Sequence, residues 1–181
     1  MITLGTLMGF LLFSGASVAT PSQAPALPSY TVALTAYNAV PEQTSNHPLI
    51  TASGAYSNPE VIAARSQDFG KELPFGTIIE LDGTNISSKD TCGFDVVKPH
   101  IGYRVIGDVL NAIYTKRVDI LLDTKTNYTA ADGSQINAAN VLGICKDVTV
   151  RVVGFVDIAH IPKTQSALAA LVEKNNSLAF K

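Results

Sequence analysis

The chain reads as mainly β: a closed barrel of short strands followed by a short C-terminal helix. Three observations carry that expectation. Short apolar or β-branched runs recur along the sequence, each bounded by Gly, Pro, Asn or Asp. The clearest, residues 148–156, is rich in Val and Thr, side chains that suit a pleated surface. Many short strands leave unpaired edges unless the sheet closes on itself, so closure is the expected architecture.

The elements follow in order. Residues 30–37 alternate larger apolar side chains with Thr and Ala, the pattern of a half-buried strand. Residues 38–60 are polar and carry Pro41, Pro48 and Pro59, which marks a long loop of the kind that serves function or moves. Residues 61–64 form a short buried strand. Leu73-Pro74-Phe75-Gly76 turns into a strand at 77–81, which Asp82-Gly83 closes. An insertion at 84–100 holds Cys92. Residues 102–107 and 117–122 are the next strands, then a polar loop at 124–135. Residues 136–142 form a short helix ended by Gly143, and Thr164 caps a C-terminal helix from Gln165 to about Leu178.

The length of 181 residues fits one domain with a short extension. With 46% apolar and 15% charged residues, the chain has enough apolar side chains for a real core. A net charge of −2 and the lack of any Lys/Arg cluster argue against a nucleic-acid binder, which needs a basic face.

Residues 1–19 read as an export signal. An apolar run to Phe13 leads to Ser17 and Ala19, small residues placed for cleavage. The n-region lacks Lys and Arg, so an uncleaved N-terminal anchor stays open. Either way the domain, residues 30–181, is expected outside the cytoplasm: periplasmic, wall-associated or secreted. Membrane contact is expected only through that first segment. Residues 20–29 are a Pro/Ala/Ser linker. Two cysteines in an exported chain, Cys92 and Cys145, suggest a disulfide; two buried thiols are the alternative.

The segment from Gly107 to Asp123 sets Asp108, Asp119 and Asp123 among residues that otherwise read as buried strand. An ionised acid in an apolar setting is costly, and the resulting rise in pKa suits a general acid near neutral pH. Strand alternation puts Asp119, Leu121 and Asp123 on one face and Val118, Ile120 and Leu122 on the other. That face is either a site or the solvent side of an amphipathic strand, and Asp108 is either a site residue or a turn Asp. Three carboxylates could hold Ca²⁺, but the spacing matches no EF-hand and there is no HExxH or CxxC, so neither metal nor cofactor is expected. His47, His100 and His160 sit in loop-like sequence without paired spacing, and no G-x-S-x-G elbow appears. Three N-glycosylation sequons, at Asn85, Asn127 and Asn175, carry little information.

The order of Thr35-Ala36-Tyr37, Thr51-Ala52-Ser53-Gly54, Leu73-Pro74-Phe75-Gly76-Thr77, Gly107-Asp108, Arg117-Val118-Asp119-Ile120 and Ala138-Ala139-Asn140-Val141-Leu142-Gly143 resembles the three-aspartate (3D) domain of bacterial cell-wall proteins. That domain is similar to the catalytic barrel of the membrane-bound lytic transglycosylase A family. The resemblance covers roughly residues 30–157. It implies a six-stranded double-psi β-barrel that acts on peptidoglycan glycan strands. By the same resemblance Asp119 is the catalytic acid/base, and Asp108 supports it and tunes its pKa. Thr35, Tyr37, Thr51 and Ser53 would offer hydroxyls to sugar, and Asp123 would be a bystander. The relatives read Asp-Thr-Gly-Gly where Asp108-Val109-Leu110-Asn111 stands here. The expected function is thus glycan-strand cleavage by an exported lytic transglycosylase. The alternatives are a non-catalytic peptidoglycan-binding module and an ordinary hydrolase using Asp108 and Asp119.

Overall fold

A computed structural model describes residues 27–179. The expected signal or anchor at 1–19 and most of the linker lie outside the described residues. In chain order the strands are β1 (Ser29–Tyr37), β2 (Ile62–Arg65), β3 (Thr77–Asp82), β4 (Arg104–Val109), β5 (Arg117–Leu121), β6 (Asn127–Thr129), β7 (Gln135–Asn137) and β8 (Cys145–Phe155). The helices are α1 (Phe94–Val97), α2 (Ala138–Leu142) and α3 (Gln165–Ala179).

Six strands close into a barrel in the order β1-β5-β2-β4-β3-β8, and β8 returns to β1. The expected closure is present, and so is the C-terminal helix. The pairs β1·β5 and β2·β4 are parallel, and the other four are antiparallel. β8 makes closure possible by its length of 11 residues, pairing with β1 on one side and β3 on the other.

β8 begins at Cys145 rather than 148, because Cys145 pairs with Leu34 beyond a bulge at Asp147, whose φ of 58° breaks the alternation. The polar loop at 124–135 contributes to a separate hairpin, β6 paired with β7. Residues 135–137 are therefore strand, and the helix starts only at Ala138, where the Asn137 side chain accepts from Ala139 N. Thr164 caps α3 as expected, accepting from Ala167 N at 3.3 Å. At the turn into β3, Gly76 has φ 89°, and a Cβ there would lie 2.3 Å from the Val156 carbonyl oxygen, so only glycine fits.

Two apolar clusters line opposite faces of the barrel strands. Val32, Leu34, Ile106, Val118, Ile120, Val148 and Val150 pack with Phe94 and Val97 of α1 and with Ala138 and Leu142 of α2. Tyr37, Ile62, Ala64, Ile78, Val105 and Leu121 pack with Leu168 and Val172 of α3. Both faces of β5 are thus covered, which removes the solvent-side alternative for Asp119. The Cys92–Cys145 disulfide is formed, with Cα atoms 5.2 Å apart, and ties the 84–100 insertion to the start of β8.

Arg104, the first residue of β4, is fully buried. Its guanidinium donates to the carbonyls of Pro59, Ile62, His100, Ile101 and Leu121. Burial pulls its pKa down to about 10, so it stays charged at neutral pH.

Two stability predictions follow from these bonds. Arg104→Met leaves buried carbonyls without donors and is expected to cost more than about 3 kcal/mol in urea unfolding. Arg104→Lys will not restore the loss, because one ammonium cannot span the same fork. Reducing Cys92–Cys145 opens a covalent link across 53 positions and is expected to cost about 2–4 kcal/mol, read in the same assay with and without reductant.

Candidate active site

One rung of the barrel carries both expected acids. Asp119 pairs with Thr35 across β1·β5 and with Ala64 across β2·β5. Ala64 pairs in turn with Asp108 across β2·β4. The order along the rung is Thr35, Asp119, Ala64, Asp108, so the two acids stand two strands apart, about 10 Å between backbones. Asp108 reaches the rung through a bulge: Ala63 pairs with Ile106 and Ala64 with Asp108, which skips Gly107. A Cβ on Gly107 would lie 3.0 Å from Ile62 Cδ1, so the skipped position has no room for a side chain that cannot push Ile62 aside. Ala64 is small enough to leave the space between the acids open.

That space is a cavity of about 580 Å³. Asp108, Asp119, Ala64, Tyr37, Thr51 and Tyr114 are among its walls. Gln43, Thr44, Ser45 and Asn111 add polar groups at its sides. Thr35 and Ser53 are not part of the wall. Ser53 Oγ bonds Thr51 Oγ1 at 3.0 Å, while Ser53 N donates to the Gly107 carbonyl at 3.1 Å. These bonds fasten the long loop onto β4 where the bulge lies.

The two acids differ in their bonding. Asp108 is fully engaged: Oδ1 accepts from Ala52 N and Val109 N, both at 2.9 Å, and Oδ2 accepts from Tyr37 Oη at 3.1 Å. Burial first, and then the Asp108 charge, push the Tyr37 phenol well above its usual range, so it remains a neutral donor. Asp119 Oδ1 is buried and has no partner. Burial pushes its pKa up to about 6, and the Asp108 charge adds to the rise. The Thr35 hydroxyl and the Arg117 charge oppose it. The hydroxyl faces Asp119 without completing a bond, so Thr35 Oγ1 also stands unpaired.

The remaining candidates lie apart. β5 ends at Leu121, and Asp123 is exposed in the following turn, where it accepts from Lys125 N at 2.9 Å. It does not share the cavity with Asp119. Asp68 accepts from Lys116 N at 2.9 Å, outside the cavity wall. His47, His100 and His160 are exposed. Among the described residues, no group of three or more His, Cys, Asp or Glu is placed to hold a metal ion. Val109-Leu110-Asn111 forms an ordered turn: Leu110 is buried, Leu110 N donates to the Arg65 carbonyl, and Asn111 Oδ1 accepts from Ile113 N.

Sequence reasoning missed Ala64 and Tyr114. Nothing local marks Ala64 as the spacer between two acids; only strand register does. Tyr114 carried a weak signal as an aromatic in a polar turn just before the Asp119 strand. Comparison of the sequence with protein-family models and with curated proteins finds no match.

The raised pKa of Asp119 makes a stability prediction. The folded protein holds this proton up to about pH 6, whereas the unfolded chain releases it near 3.8. Stability from this group is therefore complete below about pH 4 and lost as pH rises through 6. Asp119→Asn removes the loss. The variant is expected to exceed the parent by on the order of 2 kcal/mol at pH 7.5 and to converge with it at pH 4. Urea unfolding at both pH values checks this; a difference independent of pH would contradict it.

Proposed function

We propose that this protein is an exported cell-wall enzyme that cleaves peptidoglycan glycan strands as a lytic transglycosylase, on a barrel of double-psi topology. One observation carries the reading: Asp119 lines an open cavity, one of its carboxyl oxygens is buried without a partner, and its pKa is near 6. That carboxyl holds a proton in mildly acid solution and can both give and retake it. The two parallel pairs, β1·β5 and β2·β4, support the topology. The disulfide fits an oxidising compartment. The Asp119 and Asp108 motifs resemble those of the 3D domain in their order along the chain.

In this mechanism Asp119 gives its proton to the glycosidic oxygen as the C1–O bond breaks. The resulting carboxylate takes the proton of the sugar's 6-hydroxyl as that oxygen bonds to C1. The product is a 1,6-anhydro sugar, Asp119 regains its proton, and no water is consumed. An ordinary hydrolase would need a second carboxylate free to activate water. Asp108 is poorly suited to that task, because three donors already occupy its oxygens. Its contribution is to anchor the Tyr37 hydroxyl and the Ala52 amide and to raise the Asp119 pKa by like charge.

Purified cell walls are expected to release 1,6-anhydro ends, detected by mass spectrometry. The rate should fall as pH rises through about 6, following one proton. Asp119→Asn is expected to lose about 10²–10⁴ of the rate. Asp108→Asn removes a like charge and should move the falling limb to lower pH. Hydrolytic ends labelled with ¹⁸O from water would replace this mechanism by the two-carboxylate one. Wall binding without any cleavage would leave a binding module.

A further inference from the structure

Tyr114 lies in the turn between β4 and β5, closed by its own N–H on the Asn111 carbonyl at 3.0 Å. Its ring is part of the cavity wall, and the residue is 40% exposed. The ring is also pinned. The Arg117 guanidinium carbon sits 4.6 Å from its centroid, a distance at which the cation is held by the ring face. Arg117 is two residues before Asp119 on β5, so both side chains leave the same strand face. Its Nε is buried and without a partner, so the stack on Tyr114 is the contact that orients this guanidinium.

An aromatic ring fixed in a wall that also offers the hydroxyls of Thr44, Ser45 and Thr51, the amides of Gln43 and Asn111 and two carboxyls is suited to a ligand with apolar faces and a polar rim. A pyranose has that form: axial C–H groups cover its faces, and hydroxyls surround its edge. We propose that Tyr114 is the stacking platform that seats a sugar ring of the substrate beside Asp119, and that Arg117 is the positioning residue that holds the platform. The assignment rests on the glycan-strand reading above. It also gives Arg117 a second effect, through its charge. Asp119 is faced by Tyr37 from β1, Asp108 from β4 and Arg117 from β5. β2 brings only Ala64, because Arg65 turns to the Leu73 and Ser66 carbonyls. Among the described residues, Arg117 is thus the cation that opposes the rise in the Asp119 pKa.

The probe is soluble, peptide-free glycan strands of alternating N-acetylglucosamine and N-acetylmuramic acid. Binding is measured by calorimetry in the Asp119→Asn background, and turnover in the parent. Tyr114→Ala is expected to raise Kd and KM roughly tenfold while kcat stays within about twofold. Tyr114→Phe keeps the ring and should bind like the parent. Arg117→Gln should weaken binding and shift the falling limb of the pH profile to higher pH. Arg117→Lys should keep the limb in place. Urea midpoints of each variant confirm folding. Strands that bind the parent and Tyr114→Ala equally overturn the platform and leave the glycan reading intact. An unmoved pH limb in Arg117→Gln overturns the charge role. A parent protein that neither binds nor cleaves strands overturns the glycan reading and the platform with it.

Discussion

The guanidinium of Arg104 sets the geometry on which the rest depends. It is buried among carbonyls, with no salt bridge to Arg104 among the described residues. The carbonyls come from Ile62 at the start of β2, Leu121 at the end of β5, and the segments holding Pro59, His100 and Ile101. Arg104 itself begins β4. A planar cation with five donors in a fixed fork can satisfy that many acceptors only if all of them stay in place. β2, β4 and β5 are thereby aligned at one end. These are the strands that carry Ala64, Asp108 and Asp119 further along. A slip of one residue in β4 or β5 would turn its acid to the other face, and a slip in β2 would remove Ala64 from between them, so the clamp at one end protects the site above it.

Within the site, two carboxyls of the same kind are given different characters by burial and bonding. Asp108 stands beside a loop and a bulge, where backbone amides and the Tyr37 hydroxyl converge on it. Asp119 stands mid-strand, paired on both sides in the ladder, and its Oδ1 has no hydrogen-bond partner. It is left with a neighbouring threonine that does not complete a bond, and with an arginine engaged by Tyr114. A fully bonded carboxyl resists reorganisation, and a partly bonded one can change protonation at low cost. The asymmetry follows from where each residue lies on its strand.

Much of the fold was legible in the chain. The strands at 30–37, 77–81 and 117–122 differ from the observed ones by a residue or so, because β-branched runs bounded by turn residues leave few alternatives. The Gly143 stop and the Thr164 cap are local hydrogen-bonding devices and read directly. The β6–β7 hairpin was hidden, since strands of three residues with one apolar side chain each, Tyr128 and Ile136, are too short to set a period. The first residues of β8 were hidden because Lys146 and Asp147 sit at a bulge, where polar residues and a positive φ disguise the strand. Asp123 shares a strand face with Asp119 by spacing, yet the strand ends before it reaches there.

What the sequence determined by itself was the inventory: short strands that favour closure, an even pair of cysteines, and acids set among apolar residues. Each of these is local, because alternation, turn chemistry and burial tendency act within a few residues. Only the tertiary structure decided which acids meet. Asp108 and Asp119 are brought to one rung by the β2·β4 bulge and the β2·β5 register, with Ala64 between them. The same packing covered both faces of β5, so that Asp119 became a buried carboxyl rather than a solvated one. Register is set by the whole barrel closing around Arg104, and no stretch of sequence a few residues long contains that information.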